Sequence, residues 1–482
     1  MTEKRNLSMM TDLYQLTMMN GYESLGMHEK TAVFDLFFRP SGQLSYAVAA
    51  GLEQVVDYIE NLHFDENDIS YLKESFNFSE KFLKHLKNFS FTGDIYSVPE
   101  GTVVFPYEPI LTVRAPLFEA QLIETAILNI INHQTLIATK ATRVKQAAGK
   151  SIVSEFGLRR AQGPDAGIYG ARASIIGGCD GTSNVLTGQM FGVAVKGTMS
   201  HSWVMSFASE FEAFYRFSEI YPDNSLLLVD TYDTLKSGVP NAIKIFDKLK
   251  KEGHKPVGIR IDSGDLAYLS KKARKMLDNA GHKDAIIFAS SDLDEHVISS
   301  LKEQGAKIDA YGVGTRLITS SEMPSLGGVY KLAEVTINGK NYPRMKFSDT
   351  PEKMTNPGFK DLHRVYDEDG KAFADIISLY GEELDTSQPL KLTHPTLRYK
   401  TAVLTKYSVK KLLVPVIIKG KTVCDLPSVT KIAKYSASDC KTFWEEYLRN
   451  VNPAIYKVNL SDKLYELKHE LISAHLGGND EI

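Results

Sequence analysis

Cysteine is scarce in this 482-residue chain, and its placement excludes both a disulfide framework and a zinc knuckle. Cys179, Cys424 and Cys440 are scattered, with no two at the close spacing such sites need. A reducing compartment, the cytoplasm, is the expectation. Long hydrophobic runs are missing too: no stretch reaches the roughly 18 uninterrupted apolar residues of a membrane helix. The segment Met1 to Met10 carries charge without a following apolar region, so neither an anchor nor an export signal is expected. Nor does one sign of charge dominate. With 56 basic and 59 acidic side chains the formal net charge is -3, which offers no global field to draw nucleic acid or an anionic membrane. Any anionic ligand must be held by local basic clusters. A Walker A loop is absent as well, because Val144 and Pro415 stand where Gly149-Lys-Ser151 and Gly420-Lys-Thr422 would need their first glycine.

What is present is an ordinary globular balance, 43% hydrophobic and 24% charged, in a chain long enough for two or three domains. From about Ser151 to Thr315 short apolar runs alternate with amphipathic stretches, the pattern of β-α units around a parallel sheet. Candidate strands are Ile152 to Glu155, Val193 to Val195, Leu226 to Val229, Val257 to Ile261, Ala285 to Phe288 and Ala310 to Gly312. Ala242, Ile245, Phe246 and Leu249 form a helical stripe between two of them, and Leu293, Val297, Ile298 and Leu301 form another. Three units run straight into acids, Asp230, Asp262 and Asp292. A closed β/α barrel and an open doubly wound sheet both place ligands at such strand ends. The expected division is an N-terminal α/β domain over residues 1–140, a β/α domain over 141–345 and a C-terminal domain over 346–482. Within the last, Lys406 to Ile418 reads as a strand pair or as a short helix and strand.

Several clusters carry chemistry. In Glu155-Phe-Gly-Leu-Arg-Arg-Ala-Gln-Gly163 a strand end meets a turn with Arg159 and Arg160, whose planar forks suit carboxylate or phosphate, while Phe156 offers a stacking face. The glycine and hydroxyl run Gly177 to Asn184 ends in a residue placed to cap a helix. His201, in Lys196-Gly-Thr-Met-Ser-His201, is expected in the first turn of a helix, where positive partial charge disfavours imidazolium and welcomes a phosphoryl group. Asp230, Asp233, Asp262 and Asp265 are the acids available to orient that ring, bind magnesium or face charge developing on a sugar carbon. The same Asp-Thr and Asp-Ser-Gly patterns are also those of ordinary caps and turns. Ala289-Ser-Ser-Asp292 and Tyr311-Gly-Val-Gly-Thr315 complete the strand-end set.

Jointly these motifs resemble the nicotinate phosphoribosyltransferase family. Those that coincide in order are Thr11 to Gln15, Phe34 to Arg39, Gly157 to Gly163, Gly181 to Asn184, Gly197 to His201, Arg260 to Asp265 and Lys346 to Lys360. The resemblance implies an irregular TIM-like β/α barrel with an additional α/β domain from the N-terminal part and some C-terminal chain, working as a homodimer with shared active sites. It makes His201 a phosphohistidine oriented by Asp230, and Asp262 the holder of ribose or its Mg2+. Tyr14 from the neighbouring subunit would stack on the pyridine ring opposite Phe156, with Arg159 and Arg260 near the carboxylate and phosphates. Thr198 would touch substrate, and Ser291, Asp292, Gly312, Gly314 and Thr315 would cradle the 5′-phosphate and ribose. Lys346, Ser348 and Lys353 are further phosphate candidates. The implied reaction joins nicotinate to phosphoribosyl pyrophosphate, with ATP as co-substrate, in NAD salvage. Alternatives are a nicotinamide or quinolinate phosphoribosyltransferase, or a non-catalytic nucleotide-binding barrel. Two arginines and a histidine loop without an acid favour nicotinate over the amide.

Overall fold

The computed structural model describes residues 6–40, 44–348, 350, 353–393 and 399–477. Positions 349, 351 and 352 of the Lys346 to Lys360 motif lie outside that set. Two compact units emerge, one from Met1–Leu136, Ser325–Pro427 and Tyr435–Ile482, the other from Ile137–Pro324 and Ser428–Lys434. The first unit thus draws on both ends of the chain.

The second unit carries the strand-end acids. Its sheet has six parallel strands in the order Gly181–Thr182, Ile152–Glu155, Ala310–Val313, Ile286–Ser291, Gly258–Ile261 and Leu226–Leu228. Helices pack on it through the stripes visible in the sequence. Val239–Lys251 buries Ala242, Ile245, Phe246 and Leu249 completely, each contributing about 1–3 kcal/mol by leaving water. Glu295–Glu303 buries Ile298 and Leu301, with Asp294 capping its start through the Val297 amide.

The expected strand at Val193 to Val195 is reduced to a single bridge between Val195 and Thr182. Gly192, in the left-handed region at φ 63°, and Gly197 bracket this short segment and leave it too few residues for a ladder. Three residues on, the Thr198 hydroxyl donates to the Leu226 carbonyl at 2.5 Å. Residues 193–198 therefore span the gap between the first and last strands of the sheet, and among the described residues no backbone ladder closes it. The architecture is α/β and irregular, as expected, and among the described residues the sheet is not closed by hydrogen bonds into a barrel.

The first unit is built on a seven-stranded antiparallel sheet in which Thr31–Phe38 lies between Gly328–Ile337 and Leu111–Pro116. Buried Asp35 in Thr31–Phe38 accepts from Thr112 at 2.8 Å and pairs with Lys360 at 2.7 Å. A four-stranded sheet orders Ser408–Lys411, Lys360–Tyr366, Ala372–Leu379 and Val458–Leu460. Residues 406–418 do form two strands, but each pairs elsewhere: Ser408–Lys411 with Lys360–Tyr366, and Val414–Ile418 with Asp94–Ser97. Fully buried Arg364 is held by Asp375 at 2.7 Å and Asp439 at 3.2 Å, so its charge is paired where burial would otherwise forbid it. Among the described residues no helix is long and apolar enough to cross a membrane.

Candidate active site at the strand ends

Parallel pairing sets Leu228, Ile261, Ser291, Val313 and Glu155 near one edge of the sheet, so the residues that follow them share that edge. Arg260 is the hub. It donates from Nη2 to Asp262 Oδ1 at 2.7 Å and from Nε to the Ser290 hydroxyl at 2.8 Å. Ser290 in turn donates to the same Asp262 oxygen. The outer oxygen of that carboxylate, Oδ2, lies 3.9 Å from His201 Nε2.

His201 opens the helix His201–Met205, which has only five residues, so its dipole is that of little more than one turn. The amphipathic helix expected there is cut short by Ser206. Asp230, expected to orient the imidazole, is turned the other way: its Oδ2 accepts from the Asp262 amide at 2.9 Å and from the Ser263 hydroxyl at 2.6 Å. The ring meets Thr231 instead, with Nδ1 3.0 Å from Oγ1. The reason is local, because Asp230 sits where its carboxylate can tie down the next strand-end turn. Its Oδ1 is buried and has no hydrogen-bond partner among the described residues. The other two acids are caps: Asp233 accepts from the Leu235 and Lys236 amides, and Asp265 from the Tyr268 amide.

An aromatic floor adjoins the hub. Phe156 and Phe288 stack at 5.6 Å and 19°, and the Arg260 guanidinium lies 5.7 Å from the Phe156 ring centre. Glycine is required at 312, since a Cβ there would stand 2.7 Å from Phe156 and 2.8 Å from Phe288. Gly314 approaches the Phe156 carbonyl and precedes the short helix Thr315–Ile318. Phe156 is anchored by its amide to Val313 at 2.8 Å, and the preceding Glu155 accepts from the Gly157 amide and from Thr182 at 2.6 Å. Burial pushes the Glu155 carboxyl above the ordinary range, against the pull of those two bonds.

The remaining candidates distribute as follows. Arg159 and Arg160 are exposed in the turn Leu158–Arg160, and Asp292 is exposed after Ser291. Thr198 spends its hydroxyl on the Leu226 backbone. Tyr14, Lys346, Ser348 and Lys353 belong to the first unit and are not among the side chains gathered in the second. Tyr14 is half exposed on the helix Leu13–Ser24, beside a cleft shared with Tyr22, Phe34, Glu124 and Tyr330. Partial burial and the neighbouring Glu124 push its hydroxyl up to about 12. Thr231, Ser263, Ser290 and Phe288 were not singled out from the sequence. The signal is proximity along the chain: Thr231 and Ser263 directly follow the strand-end acids Asp230 and Asp262, Ser290 stands two residues before Asp292, and Phe288 is two residues before Ser290 on one face of a strand.

Fold and site together define a class of α/β proteins with charged, hydroxyl and aromatic side chains gathered at the carboxyl ends of parallel strands. Three family profiles cover nearly the whole chain: the nicotinate phosphoribosyltransferase N-terminal domain over residues 9–132, the nicotinate phosphoribosyltransferase family over 152–370, and the nicotinate phosphoribosyltransferase C-terminal domain over 359–468. The nicotinate phosphoribosyltransferase of Bacillus subtilis is 46% identical over 471 residues, covering 97% of this chain and 95% of that one. The human one is 32% identical over 523 residues, covering 96% of each. A crystal structure of human nicotinic acid phosphoribosyltransferase superposes with a TM-score of 0.84 at 30% identity, covering 96% of this chain and 99% of the other. The chain belongs to the nicotinate phosphoribosyltransferase family.

Proposed function

We propose that this protein transfers the phosphoribosyl group of phosphoribosyl pyrophosphate to nicotinate, giving nicotinate mononucleotide and pyrophosphate. ATP hydrolysis is coupled through a phosphohistidine at His201. The enzyme serves NAD salvage in the cytoplasm and works as a homodimer. The observation that carries the reading is the convergence of Phe156, Arg260, Asp262 and His201 at one sheet edge, in a chain whose relatives over nearly their whole length bear this enzyme's name.

The pyridine ring stacks on Phe156, and its carboxylate faces Arg260, whose Nη1 has no hydrogen bond among the described residues. An amide would instead bring N–H donors against a guanidinium that only donates, so it accepts fewer of Arg260's hydrogen bonds than a carboxylate does. As the bond from the anomeric carbon to pyrophosphate lengthens, positive charge grows on the sugar. The strand-end carboxylates of Asp230 and Asp262 favour that charge, and the nicotinate nitrogen supplies the electron pair that forms the new bond. Arg159, Ser291, Asp292, Gly312, Gly314 and Thr315 hold the phosphate and ribose ends, while Tyr14 closes over the ring from the neighbouring subunit.

With Nδ1 held by Thr231, Nε2 is the nitrogen open to phosphorylation. Its lone pair attacks the terminal phosphorus of ATP, the bond to ADP breaks, and water later takes the phosphoryl group. Magnesium fits the donor set, since Asp230 Oδ1 has no hydrogen-bond partner among the described residues and Asp262 Oδ2 lies outside the arginine pair, both hard oxygens of the kind it takes alongside phosphates. When bound, the ion neutralises pyrophosphate charge.

The test is steady-state synthesis of mononucleotide with nicotinate, nicotinamide and quinolinate in parallel, with and without ATP. Nicotinate is expected to be the preferred base, with ATP accelerating its use. A preference for nicotinamide, or carbon dioxide release from quinolinate without ATP, would refute it.

A further inference from the structure

Ser291 ends its strand with φ at 149°, a backbone conformation that side-chain-bearing residues rarely adopt. Such a residue persists only where its surroundings over-determine it. On one side it is held by pairing with Val313, and the Leu293 amide closes a tight turn onto its carbonyl at 2.8 Å. Immediately beyond stand Asp294 and Glu295, 1% and 0% exposed. Two buried acids in succession after a strained turn are tolerable only if they are paired. Glu295 meets Lys140 Nζ at 2.7 Å and Arg143 Nε at 3.1 Å, both reaching from the long helix Glu124–Ala148, and Lys140 also reaches Glu322 at 3.1 Å. Asp294 pairs with Arg316, in the short helix that follows Val313 and Gly314.

We propose that Lys140, Arg143 and Arg316 are positioning residues for the sugar-phosphate end of the site, acting through Glu295 and Asp294. The inference rests on the reading above, in which Ser291, Asp292, Gly314 and Thr315 receive the 5′-phosphate and ribose. One ion pair, Arg316 with Asp294, clamps the two loops bearing those residues to each other. The other, around Glu295, fastens the first loop to the long helix Glu124–Ala148. Neither touches substrate. Together they hold a strained turn in place before the ligand arrives, so less ordering is left for binding to do.

The test uses the full-length protein with Lys140→Met, Lys140→Arg and Arg316→Gln. Lys140→Met and Arg316→Gln are expected to raise KM for phosphoribosyl pyrophosphate about tenfold while kcat and the nicotinate KM stay within about twofold. Lys140→Arg, which keeps the charge, is expected to restore the wild-type constant. Arg316 is 42% exposed, so its variant reads the same effect should Lys140→Met fail to fold. Binding of ribose 5-phosphate by calorimetry on the same proteins is expected to weaken in parallel, and it needs no turnover. Unchanged KM and unchanged ribose 5-phosphate affinity in folded variants would overturn the inference, as would a fall in kcat alone, which marks loss of folded enzyme. Wild-type protein that binds ribose 5-phosphate yet makes no nicotinate mononucleotide would instead sink the proposed reaction and leave the positioning claim to the binding data.

Discussion

Ser290 shows how one hydroxyl fixes a site. It accepts from Arg260 and donates to Asp262, so the guanidinium and carboxylate are locked by a third contact at a residue only 4% exposed. Ser290→Ala removes a hydrogen bond to each of two charged groups, and kcat/KM is expected to fall at least about tenfold with the fold intact. A variant with wild-type kinetics would mean that the Arg260–Asp262 pair needs no third partner. Glu155 makes the opposite case. Its folded-state carboxyl holds its proton above the ordinary range, so between the unfolded and folded values the native state binds more protons and stability falls as pH rises. Glu155→Gln keeps an acceptor for the Gly157 amide and removes the charge. Urea midpoints from pH 5 to 8 are expected to decline for the wild type relative to the variant, and parallel curves would show that Glu155 does not titrate in that window. At this scale the sequence revealed which side chains stand at strand ends, but not their aim. Asp230, Asp233, Asp262 and Asp265 look alike in a sequence. Two of the four are caps and one braces a turn, because the nearest unsatisfied backbone amide decides where a short acid points.

At the scale of elements, helix stripes were the most legible feature, since a 3.6-residue period survives in any context that buries one face. Asp265 caps Leu266–Asn279, and Asp265→Ala is expected to lower stability by about 1 kcal/mol in urea unfolding while kcat/KM stays within about twofold. A large kinetic loss would assign Asp265 to the chemistry instead. The strand Ala310–Val313 carries a packing requirement that no periodicity reveals. Gly312→Ala would drive a methyl into both Phe156 and Phe288, and the nicotinate KM is expected to rise about tenfold as the stacked rings shift. An unaltered KM would remove the aromatic floor from the base-binding site. The strand expected at Val193 to Val195 fails to form for a related reason. Three apolar residues between glycines read as a strand, yet a strand needs a partner ladder, and here a bridge at Val195 and the Thr198 hydroxyl take its place.

Across the whole molecule, the α/β class and the parallel sheet followed from alternating apolar runs, whereas the first unit did not. Its central sheet joins Thr31–Phe38 to Gly328–Ile337, partners almost 300 residues apart, and no local pattern announces such pairing. The same limit applies to Tyr14, whose expected role depends on a second subunit rather than on its own half-exposed helix position. The central claim is the phosphohistidine, because it alone separates an ATP-coupled transferase from one that merely positions two substrates. Incubation with γ-labelled ATP, followed by acid and alkali treatment and peptide mapping, tests it most directly. The account predicts acid-labile, base-stable phosphate on the peptide containing His201, absent from His201→Ala and discharged when substrates are added. Label that resists acid, or that persists undiminished in His201→Ala, would contradict it.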